Sequence, residues 1–384
     1  MRGRGAGVFL AVSAVVAGSF FARTTAVRAG GPGSGRTDAA TANWNKAAAT
    51  QFLDDRETWW QGWPRAQKDH GTLCISCHTV VPYAMVRPEL RRDLGVAAMA
   101  APEKVMLDSV EKRVGDWAEM VPFYSDEKYG AGKTAESHAT EAVLNAVILA
   151  SYDRATGDGA QGGVRPITRK AFENAWALQE SSGPLAGAWK WQDFHLGPWE
   201  SAESGYQGAA LLMVEAVHLP GGFAREAGTR AHVDGLRDYL RRNYAHQPVV
   251  NQLYVLWASA KEPGLLTEAE RADLVERLRG AQQEDGGFRT ATLDVRERVD
   301  HTAQPATSDG YATGVVALAL EAVETTRSDV VLRRSLDWLA AHQQKDGTWT
   351  AASLNKQRDP NSDPALFMTD AATAYAVMAL EEER

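Results

Sequence analysis

The chain has few of the features that would place it in several large protein classes. It holds only two cysteines in 384 residues, so no disulfide-dense scaffold can be built from it. It has no surplus of positive charge: 41 Lys and Arg stand against 49 Asp and Glu. That balance argues against a nucleic-acid binder, because neutralising phosphates takes a basic surplus. It also lacks an apolar run long enough to span a bilayer; the longest, Val8 to Phe21, falls short of the roughly 20 residues needed. Hydrophobic residues make up 44% and charged residues 23%, a globular balance that excludes disorder and collagen. One residue type is abundant instead: twelve tryptophans call for an explanation.

The short apolar run reads as an export signal. Arg2 and Arg4 precede it, and Val27-Arg28-Ala29 supplies a small-x-small cleavage site after Ala29. The expectation is a signal peptide over residues 1–29, a flexible lead-in over 30–42 and one domain over 43–384. The leader carries four Arg and no acid, so the mature chain is more acidic still. It is expected to be extracytoplasmic, periplasmic or secreted, and not transmembrane once the signal is cleaved. The competing reading is an uncleaved anchor.

The remainder repeats itself. Gln282-Gln-Glu-Asp-Gly-Gly-Phe288 matches Gln343-Gln-Lys-Asp-Gly-Thr-Trp349 as Q-x-x-x-G-x-aromatic, and Gln179 to Trp189 is the same pattern with four extra residues. Each follows an amphipathic helix pattern and precedes one that is apolar nearly all round, such as Asp309 to Leu320 or Asp370 to Leu380. A helix apolar on all sides must be buried, so the alternation predicts an outer ring of helices around an inner one. Six outer/inner pairs are predicted, starting near Asn43/Cys77, Pro102/Ser137, Pro166/Ser204, Thr229/Pro248, Thr267/Asp309 and Ser328/Asp370. The period of about 50 to 60 residues lies in the range of repeat architectures. The predicted fold is all-α, an α/α toroid of six helical hairpins sharing one core.

The repeat pattern and the six-hairpin layout resemble the toroid superfamily of squalene–hopene cyclases and protein prenyltransferases. The resemblance implies the toroid, with the repeat Gln capping backbone ends at a helix junction and the aromatic packing across to the next repeat. It implies little about chemistry. The cyclase acid motif Asp-x-Asp-Asp is missing, and its nearest match, around Asp370, keeps one acid. The prenyltransferase zinc site needs a cysteine in the second half of the chain, where there is none, and no G-C-G-E-Q thioester run occurs. Glu136, Glu203, Asp309 and Asp370 fall at predicted starts of inner helices. Capping explains them; an acidic ring at a cavity mouth is the rival reading.

The two cysteines stand together in Cys74-Ile-Ser-Cys77-His78. C-x-x-C-H is the attachment sequence of haem c. Two thiols three residues apart on a helical turn reach the two vinyl groups of one porphyrin, and the adjoining His78 becomes the proximal iron ligand. Export agrees with that chemistry. Two alternatives stand beside covalent haem: a zinc site of Cys74, Cys77, His78 and one further His, and a dithiol or disulfide pair, whose usual βαβ setting is absent. In the repeat alignment His78 falls next to His138 of the second hairpin, and neighbouring helices pack roughly 8–10 Å apart. His138 is therefore the candidate second axial ligand, or fourth zinc ligand, with Met120 as its rival. The clusters Trp59-Trp60-Gln61-Gly62-Trp63 and Trp189, Trp191, Trp199 with Phe194 are read as packing between repeats, or else as walls of a haem or apolar-ligand pocket. His195 and His301 fall in loops at the same level.

Two functions follow as expectations. One is an exported haem c toroid with an electron-transfer or redox role and an unidentified redox partner. The other is a squalene-cyclase-like enzyme, or a toroid binding an apolar small molecule, with zinc in place of haem.

Overall fold

Alternation of amphipathic and all-round apolar helices dictates the architecture of the computed structural model, which describes residues 44–156, 163–323, 329–360 and 362–382. The expected signal peptide and lead-in lie outside them, and the described residues all fall within one compact unit. The helices are α1 (Lys46–Gly62), α2 (Val80–Asp93), α3 (Ala101–Gly115), the one-turn α4 (Asp126–Tyr129), α5 (Lys133–Thr156), α6 (Pro166–Ala177), α7 (Ser204–His218), α8 (Arg230–Asn243), α9 (Val249–Ser259), α10 (Glu268–Ala281), the one-turn α11 (Thr290–Leu293), α12 (Gly310–Ala322), α13 (Val330–His342) and α14 (Asp363–Glu382). No strand occurs among the described residues, only isolated bridges.

The inner ring runs α2, α5, α7, α9, α12, α14. Each helix packs on the next, and α14 returns to α2. The outer helices α1, α3, α6, α8, α10 and α13 pack behind them. The chain is an α/α toroid of six hairpins. Side-chain character sets the two roles. In α12 every residue from Gly310 to Leu320 is buried. In α8 only Val233, Leu236, Tyr239 and Leu240 are, one face of the helix.

The repeat motif builds the junctions. The amide of Gln343 donates to the carbonyl of Gly347 (3.1 Å) and of Asn45 (3.1 Å), just ahead of α1. Gln282 does the same to Gly286 (2.8 Å) and Val331 of α13 (2.9 Å). Gln179 reaches Gly187 (2.9 Å) and His232 of α8 (3.0 Å). One side chain thus ties its own loop to the start of the next outer helix. The glycine is required by its left-handed φ, 91° at Gly347, and by crowding: a Cβ there would lie 2.3 Å from the Ala48 carbonyl carbon. The aromatics Trp189, Phe288 and Trp349 are buried.

The predicted helix starts hold within four residues except at the sixth inner helix, which begins at Asp363 and leaves Asp370 two turns inside it; the first inner helix begins at Val80, three residues after Cys77, and the second at Lys133, four ahead of Ser137. Asp309 does cap its helix, accepting from the Ala312 amide. Asp370 instead ties the first hairpin to the last: Arg56 of α1 donates to both of its oxygens, at 2.7 and 3.1 Å. No described helix is long and apolar enough to cross a membrane.

Candidate cofactor site

The segment carrying Cys74, Cys77 and His78 is not the helical turn that the spacing suggested. Residues 74–76 have no regular structure and 77–79 form a turn leading into α2. Ser76 is the reason. Its hydroxyl accepts from the amides of Thr79 (3.2 Å) and Val80 (3.1 Å), starting the helix behind the motif instead of within it. The segment is fixed from both sides: the Cys74 amide donates to Ala66 (2.7 Å), and the Trp60 indole donates to the Cys74 carbonyl (2.8 Å).

Both thiols and the imidazole nevertheless line one cavity, where outer helices end and inner helices begin. Its enclosed volume is about 170 Å³, below the roughly 300–1,000 Å³ of a usual small-molecule or cofactor pocket, and with its open mouth it spans about 720 Å³ of atom-free space. Trp60, Trp63, Phe123, Tyr124 and Phe367 give it aromatic walls, and Ser137, Thr140, Glu141, Leu144, Gln192 and Glu200 complete it. The Trp60 and Trp63 readings as packing and as pocket wall both hold, since each also packs on the core. A smaller cavity toward the ring axis shares Cys77 and Leu144 and adds Trp191, Trp199, Tyr254 and Tyr375.

The His78 ring stacks on Phe367 at 3.9 Å and 18°, with Trp60 edge-on at 5.5 Å. Its Nδ1 lies 2.8 Å from the Thr79 hydroxyl, and that hydroxyl donates to Asp370 at 2.6 Å. The hydroxyl therefore accepts from Nδ1–H, which leaves the Nε2 lone pair uncommitted. Burial, with Arg56 nearby, pushes the His78 pKa down to about 3, so the ring stays neutral. Burial pushes the Cys74 thiol up to about 12 and raises Cys77 as well. The two sulfurs are unbonded protonated thiols, without the stabilised thiolate of a dithiol catalyst.

The acids differ. Glu141 is engaged by Arg113, at 2.5 and 3.1 Å. Glu200 carries no such partner, and burial alone raises it to about 7. Asp370 is raised to about 6 by burial, which its bonds from Arg56 and Thr79 oppose.

The candidate second ligands are placed elsewhere. His138 stacks on Trp117 at 4.2 Å and 17° and is not part of the cavity lining. On α5 the lining positions are 137, 140, 141 and 144, and His138 is rotated about 100° from Ser137, toward the outer layer. Met120 is buried in the connection between α3 and α5, also outside the lining. His195 and His301 are exposed, beside Asp193 and Glu297 respectively. Among the described residues no group of three or more His, Cys, Asp and Glu side chains is gathered to hold a metal ion, so the proposed Cys/His zinc set is not assembled. The sequence pattern does not mark Thr79, Gln192, Glu200 or Phe367: Thr79 adjoins the motif but gains its role from Asp370, and the other three reach the cavity from loops and helices far along the chain.

Fold and site thus define an α/α toroid with an aromatic-walled cavity at one end of its ring. Residues 307–383 match the family described as Squalene-hopene cyclase C-terminal domain, and this part of the chain is squalene-cyclase-like. A comparison with curated proteins returned no match. Among solved structures, a glycosidase variant aligns at 11% identity and a TM-score of 0.47, covering 88% of this chain and 98% of its own. A polysaccharide lyase aligns at 12% identity and 0.39, covering 89% and 90%. Likeness at that level carries nothing about chemistry.

Proposed function

We propose that the protein is an exported toroid that carries one covalent haem c in this cavity and serves a redox role. The observation that carries the reading is the convergence of Cys74, Cys77 and His78 on one aromatic-walled space, with the Nδ1 of His78 already tied to Thr79. Cys74 and Cys77 would form the two thioethers, and His78 would offer Nε2 to the iron. A bound haem supplies one-electron chemistry. The chain's own contribution is to hold the imidazole in one tautomer, to keep it neutral by burial, and to line the space beside it with the aromatic side chains Trp60, Trp63 and Phe367. Thioether sulfurs suit this setting better than thiolates, since burial opposes ionisation of both thiols.

The test is an absorption spectrum, oxidised and reduced, of protein exported in a host that matures c-type cytochromes. Sharp reduced α and Soret bands with haem resistant to acid-acetone extraction are expected, and loss of both in a Cys74→Ala, Cys77→Ala double variant. A colourless wild-type protein would overturn the reading.

A second reading is a cyclase-like enzyme, or an apolar-ligand toroid, acting through the same cavities. The family match over residues 307–383 and the carboxyl of Glu200 favour it. With its pKa raised to about 7, Glu200 is largely protonated below neutrality, as a general acid must be. Conversion of an isoprenoid by haem-free protein, abolished in Glu200→Gln, would establish it.

A further inference from the structure

The cavity offers one imidazole and no second strong iron ligand. No other His, and no Met or Lys, lines it. What it does offer is a buried amide without partners. Gln192 is 3% exposed, and neither its Oε1 nor its Nε2 has a hydrogen-bond partner in the protein. Its main chain is anchored, the Gln192 amide donating to the Thr140 hydroxyl at 2.9 Å. A buried amide with both donor and acceptor unsatisfied costs free energy, and native structures keep few of them without a use.

We propose, resting on the haem reading, that the iron position not taken by His78 is left open for a small exogenous ligand, with the Gln192 amide as its hydrogen-bond partner. The ligand class is a neutral diatomic. Glu141 and Glu200 both line the cavity and no Lys or Arg does; Arg113 is engaged by Glu141, and Lys68 lies over the Phe123 and Tyr124 rings, so the lining itself presents two acids and no cation to an entering ligand. An amide Nε2–H donates to the outer atom of a bound diatomic without requiring charge. The proposal makes this a ligand-binding haem site, in contrast to a six-coordinate electron carrier closed by His138 or Met120.

Carbon monoxide is the probe, used on full-length protein exported with its haem. The reduced protein is expected to bind it with a Soret shift. Gln192→Leu is expected to keep its covalent haem, move the carbon monoxide stretching band in the infrared, and release the ligand about tenfold faster, the effect of one lost hydrogen bond. Gln192→Val, read the same way with circular dichroism as a folding control, covers the case in which the Leu variant misfolds. Covalent haem that is six-coordinate and low-spin when reduced, and blind to carbon monoxide, would overturn the open site while leaving the haem reading intact. Binding that both variants leave unchanged would overturn the role of Gln192. Protein without covalent haem would overturn the haem reading, and this proposal with it.

Discussion

The Nδ1 of His78 sits 2.8 Å from the hydroxyl of Thr79, the next residue, and through it His78 is joined to Asp370 and Arg56. The motif and the ring closure are therefore one hydrogen-bonded unit. Asp370 belongs to the last hairpin and Arg56 to the first, so the imidazole is oriented by the contact that closes the toroid.

Thr79→Val keeps the shape of the side chain and removes the hydroxyl. The imidazole then loses the acceptor that fixes its tautomer and raises its basicity. In haem-loaded protein the midpoint potential is expected to rise, because a less basic ligand favours the ferric state less. Potentiometric titration checks the direction; an unchanged potential would separate the Thr79 contact from the iron.

Arg56→Met leaves the Asp370 carboxylate buried beside Thr79 alone. Removing one partner of a buried pair costs about 3–5 kcal/mol. Urea unfolding is expected to show a loss of that order, and adding Asp370→Leu should restore most of it, since the second change removes the stranded charge.

Glu57 gives the stability a pH dependence. It is fully buried on α1, bonded to Gln61, and burial raises its pKa from 4.5 to about 8. The folded chain keeps this proton after the unfolded chain has lost it. Its contribution to stability therefore falls as pH rises from about 4.5 to about 8, by on the order of 3–5 kcal/mol. Glu57→Gln is expected to flatten that stretch of the profile and to be the more stable protein at pH 8. Unfolding midpoints at pH 5 and pH 8 check the sign.

Gly347→Ala adds a methyl to a left-handed residue pressed on the Ala48 backbone, whereas Gly183, with φ of 74°, has open space around it. The first change is expected to cost about 2–4 kcal/mol and Gly183→Ala about 1 kcal/mol, strain being common to both and the collision only to Gly347. Thermal melts of the two variants distinguish these contributions.

Gln343→Ala removes three hydrogen bonds: the donation to Gly347 within its own loop and, across the seam, the donation to the Asn45 carbonyl and the bond its Oε1 accepts from the Asn45 amide at 2.6 Å. The site is partly exposed, so water replaces some of them. A loss of about 1–2 kcal/mol is expected in chemical unfolding.

Much of the fold was legible because its signals are local. A helix apolar on every side, like α12, states its burial in its own residues, and the Gln–Gly–aromatic motif states a junction within seven. The motif Cys74 to His78 was legible for the same reason. The placement of His138 was not. A repeat alignment fixes which helix a residue is on, yet one position along a helix turns a side chain by about 100°, and the cavity face of α5 passes through Ser137 and Glu141. Asp370 was misplaced similarly: α14 starts at Asp363, which moves it from a cap to the middle of a helix wall.

The sequence alone determined the alternation of outer and inner helices, their number, the junction chemistry and the grouping of two thiols with one imidazole, all set by spacings of a few residues. Only the tertiary structure decided what stands around that imidazole. Phe367 stacks on it from hairpin six, Gln192 and Glu200 line its cavity from hairpin three, and Asp370, held by Arg56 of hairpin one, meets it through Thr79. Closure depends on packing α14 against α2, a contact between residues almost 300 positions apart, which no local pattern encodes.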